Sequence, residues 1–202
     1  MIYIGVTGGI GSGKSTVCSL FGKKGTPIFF ADSVAKEISE GEALQEILKI
    51  FGNEILDSSK KLDRKKLAGI VFNDPEKLEL LNGVIHPRVF RSFEEWKKQD
   101  FGASKFALVE AALMFESGMF ELVDYVLAVV TDESERIRRV SDRDTATEEQ
   151  VKARMKNQIS LEDLLELSDF QMQNNGSIAE LTSKVNFFST LFSTLKPSIE
   201  LE

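Results

Sequence analysis

Residues 6–17 read VTGGIGSGKSTV, and Gly8–Ser15 within them satisfy G-x-x-x-x-G-K-[S/T] in full. Such a pattern restricts the fold because its chemistry works only where a strand hands over to a helix. Glycines let successive backbone N–H groups turn inward on an anion, and the helix N-terminus behind them adds partial positive charge. The flanks comply. "IYIGVT" before the loop is a short apolar run rich in β-branched and aromatic residues, and the stretch from Lys14 to about Lys24 supports a helix closed by Gly25 and Pro27. A chain of this length meets the pattern by chance roughly once in a hundred, and the strand–helix context lowers that further. Gly11, Ser12 and Gly13 are therefore expected to cradle phosphates, Lys14 to reach the β- and γ-phosphates, Ser15 to ligate Mg²⁺, and Thr16 to donate to the α-phosphate. Cys18, one turn past Lys14, reads as a small buried residue rather than a reactive thiol.

Further short apolar runs follow: "PIFFA", "KFALVEA", "YVLAVVT" and the weaker "DFQMQN". Helical stretches separate them, which predicts an α/β fold with a parallel sheet covered on both faces. Residues 33–104 carry several helical patterns and no convincing strand, so they are expected to form a helical insertion, with 1–32 and 105–202 as the nucleotide-binding core. A charge-dense stretch at about 139–165 is a second insertion with the character of a lid. Near the C-terminus, Ile178, Leu181, Val185, Phe188, Phe192 and Leu195 share one helical face and predict core packing, with Pro197 ending the helix.

Composition narrows the function. The chain has 202 residues, 25 Lys+Arg against 32 Asp+Glu, a net charge of −7 and one cysteine. That balance argues against nucleic acid or an acidic membrane surface as a partner, and one cysteine excludes an intrachain disulfide and a cysteine-based zinc site. No run is long enough to span a bilayer, and "MIYIGV" has no basic leader, so a cytoplasmic location is expected.

A phosphate loop can serve a switch, a motor or a transferase. The guanine-reading N-K-x-D is missing after the last apolar run, where "QNNGS" stands, and the third run ends "FALVEAALMFE" with no Asp-Glu pair. A small-molecule kinase needs an acceptor pocket, a base and cations that neutralise the transferring group. Asp32, just past the second strand, is a candidate base or a holder of magnesium waters, with helix N-cap as its structural alternative. Glu110 is a second candidate for holding magnesium through water. Arg136, Arg139 and Arg143 fall on one helical face, an arrangement suited to a bound polyphosphate, with Arg154 able to join them. The alternative is a solvated face paired with acids, as Arg138 is spaced with Asp142. His86 precedes Pro87, a pair that reads as the N-terminal boundary of a helix. Phe90, Phe93 and Trp96 follow at helical spacing, as core or as a stacking platform.

The ordered set of blocks resembles the dephospho-coenzyme A kinase family. "IGVTGGIGSGKSTV", "ADSVAKEI", "LNGVIHPRVF", "LMFESGMFELVD", "RVSDRD", the Gln158 closing "RMKNQ", and "SDFQMQNNGS" carry the likeness over most of residues 2–180. The resemblance implies a five-stranded parallel sheet of P-loop kinase type, a helical acceptor-binding insertion and a lid. It implies transfer of the ATP γ-phosphate, with Mg²⁺, to the ribose 3′-hydroxyl of dephospho-CoA. It makes Asp32 the base, Lys14, Arg139 and Arg143 catalytic, and Asn174 and Gly176 the holders of the adenine. His86, Pro87, Leu113 and Glu116 would fall near the acceptor. The chain departs from the family pattern at Phe30, Glu110, Ala112 and Glu135. Phe30 replaces an acid that commonly precedes the position of Asp32, which puts more weight on Asp32 itself. The nearest rival is a P-loop kinase acting on a nucleoside or nucleotide, and the rival from another class is a non-kinase ATPase.

Overall fold

A computed structural model describes residues 1–71, 74–156 and 158–197. They form two compact units, one of residues 1–30 with 100–202 and one of residues 31–99.

The first unit is built on a five-stranded sheet: β1 (Ile2–Thr7), β2 (Ile28–Phe30), β3 (Phe106–Glu110), β4 (Tyr125–Val130) and β5 (Phe170–Gln173). The order is β2-β3-β1-β4-β5 and every pairing is parallel. β3 and β4 flank β1, and their central residues Leu108, Val109, Leu127 and Ala128 are fully buried, as expected of strands covered on both faces. All carboxyl ends therefore meet one edge. Glu110 is in register with Val6 of β1 and with Phe30 of β2, so the loop leaving β1 and the ends of β2 and β3 stand side by side. Ligands in open parallel sheets bind at such an edge, where neighbouring connections diverge.

Helix α1 (Lys14–Gly22) buries Val17, Cys18 and Phe21, three side chains with no exposure at all. Beneath it Phe21, Phe106 and Phe192 form an aromatic cluster, with Phe106 edge-on to both partners at ring separations of 6.1 and 5.6 Å. Phe192 comes from the C-terminal helix Ile178–Phe192, which packs Leu181, Val185 and Phe188 onto the same core. Two details of the expected stripe differ. Ile178 is 62% exposed because it opens the helix directly after the Ser177 cap, and the helix closes at Phe192 rather than running to Pro197. Ser177 and Glu180 cap each other's backbone N–H groups in a capping box, which fixes that start.

The second unit is helical: α2 (Ala31–Glu40), α3 (Leu44–Phe51), α4 (Arg64–Val71) and α5 (Pro75–Lys97). α5 lies against the other three, and Val84, Ile85, Val89 and Phe93 are its buried side. The expected helix boundary at His86–Pro87 is not there. α5 starts 12 residues earlier, where Asp74 accepts from the Lys77 N–H and Pro75 takes the first position. Pro87 lies inside the helix. The carbonyl that loses its usual donor belongs to Gly83, on the exposed side, and the Arg88 side chain donates to the Val84 carbonyl at 2.5 Å one turn back.

Candidate active site

The loop between β1 and α1 needs glycine in its structure, most plainly at Gly13. That residue has φ +91°, and a Cβ there would collide with the Asn174 side-chain amide. The Ser12 carbonyl faces the same way and accepts from Asn174 Nδ2 at 2.8 Å and from Thr131 Oγ1 at 3.0 Å. Thr131 directly follows β4 and Asn174 directly follows β5, so the ends of two further strands hold the loop's shape. Both residues are buried, which raises the worth of these bonds and the cost of losing them. On the other flank the Ile10 N–H donates to Gln158 Oε1 at 2.8 Å, from the connection between two short helices farther along the chain. Lys14 Nζ donates across the loop to the Gly8 carbonyl at 2.7 Å, while Ser15 and Thr16 stand exposed on the first turn of α1.

Helix α6 (Glu133–Asp144) runs beside the loop and carries the arginines. Arg139 donates to the Asn174 carbonyl and to Glu135, each at 2.9 Å, and lies near Gly13. Arg138 grips Glu135 and Asp142, the pairing with acids that the spacing allowed. Hydrogen bonds from Arg138 and then Arg139 hold the Glu135 carboxyl down at about 2. Arg143 is exposed, two turns along α6 from Arg136, and both oxygens of Asp144 accept from it while Arg154 binds the same carboxylate. Those bonds hold the Asp144 carboxyl at about 2, so this ion-paired cluster persists through neutral pH. Arg136 packs on Gly9 and belongs to the loop.

A cleft of about 700 Å³ opens over Thr7, Gly8 and Gly9 at the sheet edge. Ala112 and residues 130–133 line it, as do Arg136, Lys152 and Met155 from α7 (Glu148–Met155), and the segment 158–161 that leads into α8 (Leu161–Glu166). Glu116 ties down the middle of that segment by accepting from the Ile159 N–H at 3.1 Å, and Leu113 nearby is 40% exposed. Glu110 is only 8% exposed. Its charge, after burial, helps push the Cys18 thiol upward, so Cys18 is an inert core residue. Asn174 is committed to bracing the loop, and Gly176 is exposed just ahead of the Ser177 cap.

In the helical unit, Asp32 is exposed in the first turn of α2, which begins at Ala31 directly after β2. It is thus inside the helix, where the helix dipole favours a carboxylate, and is not an N-cap. His86 stacks on Phe90 at a ring separation of 6.2 Å, and burial lowers its pKa. Phe93 is fully buried with Trp96 stacked on it, so core packing is the outcome for Phe93.

Magnesium fits this donor set. No cluster of three or more His, Cys, Asp or Glu suited to a metal occurs among the described residues, so these form no protein cage. They include a hydroxyl at Ser15 and a carboxylate at Glu110, beside the glycine-rich loop. That is how Mg²⁺ is bound when it keeps its waters and shares a substrate's phosphates. Two buried donors, Ser12 Oγ and Arg136 Nε, have no hydrogen-bond partner among the described residues, which suits a site made for an anion.

A phosphate loop braced by neighbouring strand ends, a helix of arginines beside it and a cleft above it define a P-loop phosphotransferase. A solved shikimate kinase from Acinetobacter baumannii, 15% identical with a TM-score of 0.52, shares this fold. A sequence model of the dephospho-CoA kinase family matches residues 2–180, and the chain belongs to that family. The dephospho-CoA kinase of Fusobacterium nucleatum is 40% identical over 189 residues, covering 93% of this chain and 97% of the other. That of Salinibacter ruber is 42% identical over 187 residues, covering 91% and 94%. Among solved structures, a Thermus thermophilus protein superposes with a TM-score of 0.83 at 33% identity, covering 96% of this chain and 98% of its own.

Two features of the site were not singled out from the residues alone. Thr131 had a visible signal, a hydroxyl ending an otherwise apolar strand. Gln158 had none beyond the family likeness, because its partner Ile10 is 148 residues away. Replacing Gln158 by Leu strands the Ile10 N–H, a loss of roughly 0.5–1.5 kcal/mol. ATP binding measured calorimetrically should weaken by about 2- to 12-fold; unchanged affinity would mean that this bond does not hold the loop.

Proposed function

We propose that the protein transfers the γ-phosphate of ATP to the ribose 3′-hydroxyl of dephospho-CoA, giving coenzyme A and ADP. The observation that carries this reading is the match to the dephospho-CoA kinase family over residues 2–180, with the phosphate loop as its donor site.

The chain's own groups perform most of the work by positioning and by neutralising charge. Backbone N–H groups of Gly11–Ser15 and the N-terminus of α1 receive the polyphosphate, and Lys14 exchanges the Gly8 carbonyl for phosphate oxygens. Ser15, with Glu110 or Asp32 acting through water, would hold Mg²⁺, which when bound offsets charge on the β- and γ-phosphate oxygens. Asp32 accepts the proton of the acceptor hydroxyl as the new P–O bond forms. Arg139, anchored on Glu135 and Asn174, stays close to Gly13 and stabilises the nucleotide side, and the segment 139–165 closes as a lid that excludes water. In the helical unit His86 and Pro87 on α5 are assigned to the acceptor; in the sheet unit Leu113 and Glu116 are assigned to it as well, and the loop around Asn174 and Gly176 to the adenine. No helix among the described residues is long and apolar enough to cross a membrane. With the net charge of −7, this favours small-molecule partners in the cytoplasm over nucleic acid or lipid.

Steady-state assays comparing dephospho-CoA with AMP, CMP and adenosine test the acceptor. Dephospho-CoA should give the highest kcat/KM, and faster turnover of any of the others would overturn the assignment. Asp32→Asn should lower kcat by roughly 10²–10⁴-fold with ATP binding nearly intact. Unchanged turnover would remove Asp32 from the chemistry.

A further inference from the structure

We propose that Arg136 is a catalytic residue: its guanidinium meets the transferring phosphoryl group at the mouth of the phosphate loop. This deepens the kinase reading and rests on it. The family likeness implies Arg139 and Arg143 as arginines of the reaction.

The partners of the α6 arginines separate them. Arg138 is held by Glu135 and Asp142, Arg139 by Glu135 and the Asn174 carbonyl, and Arg143 by both oxygens of Asp144. The Arg136 guanidinium has no carboxylate within ion-pair distance and no hydrogen bond among the described residues, and its Nε is buried. Burial lowers its pKa, with Glu133 the only charge acting against that. A half-desolvated guanidinium without a fixed partner costs stability. Its retention is accounted for by an anion that arrives with substrate.

Its position names the anion. The Arg136 backbone carbonyl abuts Gly11, where a Cβ would come within 2.6 Å of it. The guanidinium crosses over Gly9, where a Cβ would overlap Nη1 in its present position. Both contacts are with the phosphate loop itself, and the side chain also lines the cleft above Gly8 and Gly9. Of the other charges lining that cleft, Lys152 is paired with Glu148, and Asp132 accepts from the Asn175 amide. Lys156 stands exposed, and Glu133 is the remaining acid. A planar guanidinium can bind two equatorial oxygens of a phosphoryl group at once, which a lysine cannot. During transfer the P–O bond to ADP breaks as the bond to the acceptor oxygen forms, and Arg136 stabilises charge on the oxygens that belong to neither bond.

The test compares Arg136→Gln, Arg136→Lys and Arg136→Ala with wild type, using ATP and dephospho-CoA. Arg136→Gln should lower kcat by roughly 10²–10³-fold while the Kd for ATP changes less than about threefold. Arg136→Lys should keep part of the rate, and added guanidinium ion at millimolar concentration should restore part of the rate of Arg136→Ala. Thermal midpoints should stay at or above wild type, because the residue removed is a desolvated cation. A kcat for Arg136→Gln within about threefold of wild type would overturn the inference. So would a rate loss matched by loss of ATP affinity, or one accompanied by a lower midpoint and no recovery with guanidinium. Wild-type turnover of dephospho-CoA, measured alongside, keeps failure of the acceptor assignment distinct from failure of this role.

Discussion

The Ser12 carbonyl, held by Asn174 and Thr131, is the contact on which the donor site depends. A loop whose N–H groups point inward at an anion turns its carbonyls outward, and those carbonyls need donors when no water can reach them. Here the donors come from the ends of β4 and β5, so the loop's shape is inherited from the sheet. Arg139 extends the same brace by donating to the Asn174 carbonyl. Gly13 at φ +91° is what allows the Asn174 amide to come so close. The order β2-β3-β1-β4-β5 places β4 directly beside β1 and β5 beyond it, and this arrangement makes the brace possible.

Rigidity at the loop contrasts with the cations around it. Arg138, Arg139 and Arg143 have carboxylate partners that stay ionised at neutral pH, since the Glu135 and Asp144 carboxyls sit at about 2. These exposed or half-exposed pairs add little stability one by one, but they decide which guanidinium groups are committed in the absence of substrate. Arg136 is the exception among the arginines of α6, and its guanidinium lies on Gly9 of the glycine-rich loop. Net positive charge is unnecessary for such a site: an acidic chain binds a polyanion through a local arrangement of donors.

The fold was legible from sequence because its central strands are almost wholly buried. "FALVE" and "YVLAVV" are short, apolar and bounded by breaks, and each is a strand with little exposed surface. Pro87 misled because a proline in a helical pattern normally opens a helix; the earlier Asp74–Pro75 start was the stronger signal, a side-chain cap followed by proline at the first position. The N-cap alternative for Asp32 needs a helix that starts just after it, but α2 begins at Ala31, directly after β2. The arginine face was visible as spacing alone. Spacing cannot tell which arginine an acid will claim, because Asp144 is adjacent to Arg143 in sequence while Arg136 has only Glu133 one turn back. Long-range contacts such as Gln158 with Ile10 leave no local trace, and only the folded chain displays them.

The central claim is that the braced loop delivers its phosphate to a particular hydroxyl. Phosphorus NMR of the products formed from ATP and dephospho-CoA tests it most directly. The account predicts ADP and a new phosphomonoester on the ribose 3′-oxygen in equal amounts. ADP accompanied only by inorganic phosphate, or a phosphomonoester at another oxygen, would contradict it.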